Sequence, residues 1–311
     1  MSPKFDNVIV FGPTGAVGGS VVLEASSRGA KVWLAMRDTT KAIPRLDVAA
    51  GLGDLPRVRA DLSDPASVTA AIQTSNAKAA FVYLVFGAPD QCAASVKAMR
   101  AAGVEHVVFL SSYTVSMAQD PRTIPPEKWM PYAHAQVEIA LEDAGFPTAV
   151  ALRPSWFASN FFTIFLDRSV SPPKGTLVYE DSVTDNGTPE DIGAVGGALL
   201  VEPPADTSGR RIVYLFGREN KTFKESWELV KKITGRSDID TSVISPEDLI
   251  AGMMQKGFPE ALAKNIVESM EHTRGGYPEE IYKPNAQNVK KYTGREPMPF
   301  EEWLEKHKGD I

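Results

Sequence analysis

Short apolar runs rich in branched residues alternate with longer stretches of helical spacing through the first half of the chain. NVIVFG at 7–12, KVWLAMR at 31–37, Arg57 to Ala60, AAFVYLVFG at 79–87 and HVVFLSS at 106–112 read as strands. Between them, Gly18 to Ser27, Pro65 to Thr74 and Pro89 to Gly103 have helical periodicity, with Ser63 or Asp64 as the cap ahead of Pro65. TAVALRP at 148–154 and RIVYLFG at 211–217 add two strands, the first ending at Pro154, where ladder pairing must stop. Such alternation predicts a parallel sheet with crossover helices. Beyond residue 220 the pattern turns helical, at 224–234, 246–256 and 259–271, as expected of a smaller lobe. PEKWMPY at 126–132 and SPPKG at 171–175 read as loops.

Composition narrows the classes. A chain of 311 residues with 43% hydrophobic and 23% charged residues is an ordinary globular protein able to bury a sizeable core. A net charge of -6 argues against general attraction to nucleic-acid phosphate and favours a small-molecule partner. Cys92 is the only cysteine, which rules out an internal disulfide and a cysteine zinc cluster, and points to a reducing compartment. No apolar run reaches the length of a membrane span, so a cytoplasmic, membrane-free protein is expected, as monomer or homodimer. His106, His134, His272 and His307 are scattered, so no metal site is expected.

The clearest chemistry lies in Gly12-Pro13-Thr14-Gly15-Ala16-Val17-Gly18, which follows the first strand directly and opens a helix. Gly12 permits a tight turn, Gly15 lets backbone approach a pyrophosphate, and Gly18 lets helix and strand pack, while the helix's first N–H groups face the anion. The second strand ends in Arg37-Asp38, where an NAD-selective protein would place an acidic residue against the ribose. A guanidinium there pairs with a 2′-phosphate, with Lys41 in support, so NADP(H) is the expected cofactor. Asp61-Leu62, after the third strand, stands where this fold contacts adenine. Together these features predict an α/β protein: a Rossmann-type doubly wound parallel sheet with a smaller, mainly helical C-terminal substrate lobe. Residues 1–155 form the dinucleotide-binding core, and residues 156–311 interleave the last strands with the substrate lobe, strand 211–217 returning to the core.

GPTGAVG, LAMRD, Ser111-Ser112, ALRPSWFASNF at 151–161 and the terminal TGREPMPFEEWL resemble the NmrA-like branch of the atypical short-chain dehydrogenase/reductases along nearly the whole chain. Within it, AHAQVEIALEDAGFPTAVALRPSWFASNF is similar to reductases of fungal ergot-alkaloid pathways. The resemblance implies NADP(H) at the strand ends, held also by Phe86, Gly87, Ser111, Pro154 and Trp156, with substrate between the lobes. Ser155, Trp156, Phe157, Asn160 and Phe161 would border the nicotinamide and the substrate, and Trp129, Tyr132, Phe162 and Phe165 could extend an aromatic wall suited to a polycyclic or indole-like ligand. Phe161, Phe162 and Phe165 read better as core between the lobes; Met253-Met254 and Met270 could line an adaptable pocket, although helical methionines are more often plain core.

Typical short-chain dehydrogenases use Y-x-x-x-K, whose Lys acidifies the Tyr. Here the segment reads Tyr132-Ala133-His134-Ala135-Gln136, and Gln136 can bind a ribose but has no charge. Ordinary ketone reduction is therefore disfavoured against an iminium, which accepts hydride without a proton in the same step. Tyr113, at a strand end, and His134 remain as candidate acids. The resulting expectation is an NADPH-dependent reductase of an imine, iminium or activated alkene in a natural-product pathway, fungal indole-alkaloid by resemblance, with hydride transfer able to trigger ring formation. Two alternatives stay open: a cyclase of Diels-Alder type that holds NADP(H) without net redox change, and a redox-sensing regulator that binds dinucleotide without catalysis.

Overall fold

The computed structural model describes residues 3–47, 52–88, 90–117, 120–204 and 209–311. Its strands are β1 (Asn7–Phe11), β2 (Lys31–Met36), β3 (Arg57–Arg59), β4 (Ala79–Tyr83), β5 (His106–Leu110), β6 (Thr148–Pro154), β7 (Leu166–Asp167), β8 (Lys174–Gly175), β9 (Val183–Thr184), β10 (Gly209–Leu215) and β11 (Lys221–Thr222). Seven of them form one sheet in the order β10-β6-β5-β4-β1-β2-β3. Every pairing in it is parallel, with Val8 of β1 opposite Val32 of β2 on one side and Ala79 of β4 on the other. The strand order reverses between β1 and β4, and in a doubly wound sheet that point opens a crevice at the carboxyl ends. The small sheets β7-β8 and β9-β11 belong to the second lobe.

The helices are α1 (Ala16–Ser27), α2 (Pro44–Asp47), α3 (Pro65–Ser75), α4 (Ala93–Ala101), α5 (Trp129–Asp143), α6 (Asn160–Thr163), α7 (Pro189–Val201), α8 (Phe223–Thr234), α9 (Pro246–Gln255), α10 (Glu260–His272), α11 (Glu279–Asn285), α12 (Asn288–Thr293) and α13 (Phe300–His307). α3, α4 and α5 cover one face of the sheet over Phe109, Val82 and Ile9, while α1 and α7 cover the other over Phe81, Val10 and Leu152. α1 and α7 pack almost backbone to backbone. A β-carbon at Gly193 would lie 2.5 Å from the Val17 carbonyl and one at Gly197 2.7 Å from that of Val21, so only glycine lets the two helices approach this far. α7 and β10 thus return to the core after β7, β8 and β9, which lie outside the large sheet.

That lobe has its own core, in which Phe161, Phe162, Phe165, Phe223, Trp227, Phe300, Met253 and Met270 are all buried. Thr222 and Glu225 form a reciprocal capping box that starts α8, and Ser245 caps α9 ahead of Pro246. Three expectations change. Residues 129–132 open α5 rather than a loop, with Pro131 inside the first turn, where its missing N–H costs nothing. Lys174–Gly175 of the SPPKG segment pairs as β8 with β7. β4 stops at Tyr83, since the chain then leaves the sheet and reaches positive φ at Gly87. Asp64, not Ser63, caps α3, and Pro89, predicted to begin a helix, lies outside the described residues. Among the described residues, no helix is long and apolar enough to cross a membrane.

Candidate functional site

The glycine turn leaves β1 at the switch point. Gly12 has φ +71, a conformation that suits glycine, and Gly15 N–H closes the turn on the Gly12 carbonyl at 3.1 Å. A β-carbon at Gly18 would lie 2.2 Å from that same carbonyl, so Gly18 is what allows α1 to sit on the turn. Gly15 differs, having only the Gly12 oxygen, at 3.5 Å, near its absent β-carbon, and so faces open space. As the N-cap of α1 it offers no side-chain cap. The N–H groups of Ala16, Val17 and Gly18 therefore point outward without intrahelical partners, which is the arrangement an anion needs. Thr14 is the exposed rim of the turn, while Pro13 is buried.

Arg37, just past β2, is exposed and has no hydrogen bond or ion pair among the described residues. Lys41 is likewise exposed beside it. Asp61 engages its own chain: Oδ1 accepts from the Ser63 N–H at 2.9 Å and Oγ at 2.7 Å, and these bonds hold its carboxyl below the usual range. Leu62 is buried in the core with Val68 and Ile72.

Beside the turn, a cavity of about 370 Å³ opens between the carboxyl ends of β4, β5 and β6 and helix α10. Tyr83 connects the two, because its ring rests against Gly12, where a β-carbon would meet it at 2.6 Å, and it also lines the cavity. Phe86, Ser111, Tyr113, Pro154, Ser155, Trp156, Phe157 and Asn160 line it from the segments at and after the strand ends, and His134 from α5. Phe86 stacks on Trp129, ring centres 4.9 Å apart, at the rim. Trp156 is wedged against Phe165 and Phe223 of the second lobe. From α10 come Asn265, Ile266, Ser269 and His272. The Asn265 carboxamide, on a residue only 6% exposed, has no hydrogen-bond partner among the described residues.

Helix α5 presents a different stripe to this cavity than its sequence suggested. Met130 and His134 line it, and Glu138, one turn further, lies buried beneath. Tyr132 instead packs against Val115, Ile124 and Ala135, and Gln136 is half-buried outside the lining. Two residues of helix rotate a side chain by about 200°, so both groups of the Tyr-x-x-x-Gln pattern turn away when His134 faces in. Glu138 carries a buried network, accepting from Ser111 Oγ at 2.5 Å and from Arg153 Nε and Nη2 at 2.9 and 2.7 Å.

The two sequence-predicted acids are poor proton donors here. Burial pushes the Tyr113 phenol up to about 12, with Tyr214, Glu280 and Asp185 adding to the rise. Burial also lowers the His134 pKa below the usual imidazole range. His134 Nδ1 lies 2.9 Å from the Met130 carbonyl, which can only accept, so Nδ1 carries the proton and Nε2 is left as a bare acceptor.

A second buried carboxylate stands behind Ser155. Asp185, 1% exposed, accepts from the Trp156 N–H at 3.2 Å, the Gly217 N–H at 2.7 Å and the Tyr277 hydroxyl at 2.8 Å. Tyr277 Oη lies in turn 2.7 Å from Ser155 Oγ. Burial pushes the Asp185 pKa up against these bonds. Tyr83, Glu138, Asp185, Asn265 and Tyr277 escaped the sequence reading. Only Glu138 carried a signal, four residues after His134 on the same helical stripe.

The NmrA-like family profile matches residues 4–304. The chain belongs to the NmrA-like family. It is 38% identical over 98% of its length to the nitrogen metabolite regulation-like protein bik4 of Gibberella fujikuroi, covering 97% of that protein. In fold this NmrA-like chain is similar to an NADPH-dependent quinone oxidoreductase from Escherichia coli, solved with NADPH, at TM-score 0.72 and 18% identity over 96% of this chain and 99% of that one. It is also similar to a Citrobacter triphenylmethane reductase, solved with NADP(H), at TM-score 0.70 and 17% identity over 97% and 99%. The expected doubly wound α/β fold is therefore present.

Proposed function

We propose that this protein is an NADP(H)-dependent reductase of a flat, largely apolar small molecule, an imine, iminium or activated alkene. The observation that carries this is continuity: Tyr83 joins an anion-receptive glycine turn, with the unpaired Arg37 nearby, to a largely apolar cavity at the same strand ends. The turn fits a pyrophosphate, since Gly15 leaves open space where backbone must approach phosphate, and Arg37 with Lys41 fits a 2′-phosphate. Ser111, Pro154 and Trp156 would flank the nicotinamide. When bound, NADPH supplies a hydride.

The protein's own groups orient the acceptor and exclude water. Phe86, Trp156 and Phe157 offer flat apolar surface, and Tyr113 can hydrogen-bond but holds its proton firmly. A neutral His134 and a high-pKa phenol suit an electrophile that already carries positive charge. A triphenylmethane dye is such a delocalised cation, which supports the same choice. The indole-alkaloid setting rests on the resemblance of residues 133–161 alone.

Mass spectrometry of nucleotide released from the denatured protein, followed by NADPH consumption with a panel of aryl imines, iminiums, enones and quinones, tests this reading. Bound NADP(H) with substrate-dependent oxidation supports it. Product formed without net oxidation would point to a cyclase. The name of the fungal relative favours a second reading, a dinucleotide-binding regulator. Nucleotide binding without turnover of any acceptor would select it.

A further inference from the structure

Resting on the reductase reading and narrowing its substrate, we propose that the cavity is a site for planar cations bearing an N–H, such as iminiums or protonated heteroaromatic bases. Ser155 Oγ receives the N–H and Asp185 balances the charge. The two buried carboxylates near the cavity are unequally balanced. Glu138 is matched by Arg153 at 2.7 Å, but Asp185, equally buried, has no Lys, Arg or His within ion-pair distance among the described residues. When ionised, a buried carboxylate held only by neutral donors leaves negative potential over its surroundings, and a cation at the cavity wall favours that ionised form over the neutral one that burial favours. One hydroxyl, that of Tyr277, separates it from Ser155 at the cavity wall.

The direction of the hydrogen bonds then fixes what the wall offers. The Trp156 and Gly217 N–H groups can only donate, and Tyr277 donates to the same carboxylate. The Tyr277 oxygen is therefore an acceptor toward Ser155, the Ser155 proton points away from the cavity, and its lone pairs point in. Ser111 has likewise given its proton to Glu138, and His134 its proton to Met130. Three neighbouring wall groups thus present lone pairs, beside two donors after β5, Tyr113 and whichever hydroxyl of the Ser112–Thr114 pair does not donate to the other. Rings of Tyr83, Phe86 and Trp156 around them add faces that attract a cation. Asn265, unpartnered on the opposite wall, is free to take a substrate oxygen.

The test uses the full chain with NADP+ and two flat fluorescent ligands of like shape: norharmane, at a pH where its pyridine nitrogen is protonated, and carbazole, which stays neutral. Norharmanium should bind at least about tenfold more tightly than carbazole. Ser155→Ala, Tyr277→Phe and Asp185→Asn should each bring norharmanium down toward carbazole, weakening the cation by more than they weaken carbazole, whose single N–H carries no charge. Equal affinities in the native protein, or a preference that survives Ser155→Ala, would overturn the cation site. Should Asp185→Asn fail to fold, Ser155→Ala, at the cavity wall, decides alone. The two readings fail separately. A chain that oxidises NADPH with an acceptor but does not prefer norharmanium keeps the reductase and loses the cation site; one that turns over no acceptor yet prefers norharmanium does the reverse.

Discussion

Replacing Arg37 by Ala isolates the phosphate-reading element, because this side chain supports nothing in the fold. It is exposed and makes no hydrogen bond or ion pair among the described residues, so stability should stay within about 0.5 kcal/mol of the parent. Any loss of affinity is then a loss of contact. A charge-assisted hydrogen bond contributes about 1.5–3 kcal/mol when both partners are ordered. Arg37 is not held in place, so ordering its side chain and solvent screening should reduce this to about 1–2 kcal/mol, roughly 5- to 30-fold in Kd. Titration of tryptophan fluorescence with NADPH and NADH measures both constants on one sample. NADPH affinity should fall by that factor, NADH affinity should hold, and the difference should shrink as salt rises. Equal loss for both cofactors, or none, would refute a 2′-phosphate contact at this position.

Gly18→Ala places a β-carbon against the Gly12 carbonyl, with no flexible neighbour to yield. It should cost about 2 kcal/mol or more by strain, visible as a lowered Tm; an unchanged Tm would mean that the turn is looser than described. Glu138→Gln leaves Arg153 charged and buried, so urea unfolding should show a loss of about 3–5 kcal/mol, whereas pairing Glu138→Leu with Arg153→Met should lose markedly less. If the double variant is as unstable as the single one, the ion pair is not the cause. Burial lowers His106 to about 4 from an ordinary 6.5. The unfolded chain thus binds the proton first as pH falls, and stability present above pH about 6.5 is lost between there and about 4, on the order of 3 kcal/mol in total. His106→Phe should flatten this part of the urea-midpoint profile between those pH values; an unaltered slope would assign it elsewhere.

The strands, the crossover helices and the glycine turn were readable from sequence because each rests on local rules. Apolar runs of strand length, helical spacing and a glycine that needs positive φ all act within a few residues of chain. Arg37 was readable for the same reason, since it stands one residue past a strand whose end the pattern marks. The segment around Tyr132 was not. A helix has the same sequence whichever stripe faces inward, and the choice of Met130, His134 and Glu138 over Tyr132 and Gln136 follows from how α5 docks on β5 and on the turn after it. Leu62 shows the same limit: its position after a strand end was legible, but not that its side chain turns into the core.

The sequence by itself determined the doubly wound sheet, the anion-receptive turn and the cationic side chain beyond β2, all products of local chain geometry and spacing. Only the tertiary structure decided the chemistry of the cavity. Ser155, Asp185, Gly217 and Tyr277 come from four separate segments, and Ser111, Glu138 and Arg153 from three. Which way each hydroxyl points depends on partners up to 122 residues away, and hydrogen-bond direction and burial exist only once the lobes have closed on one another.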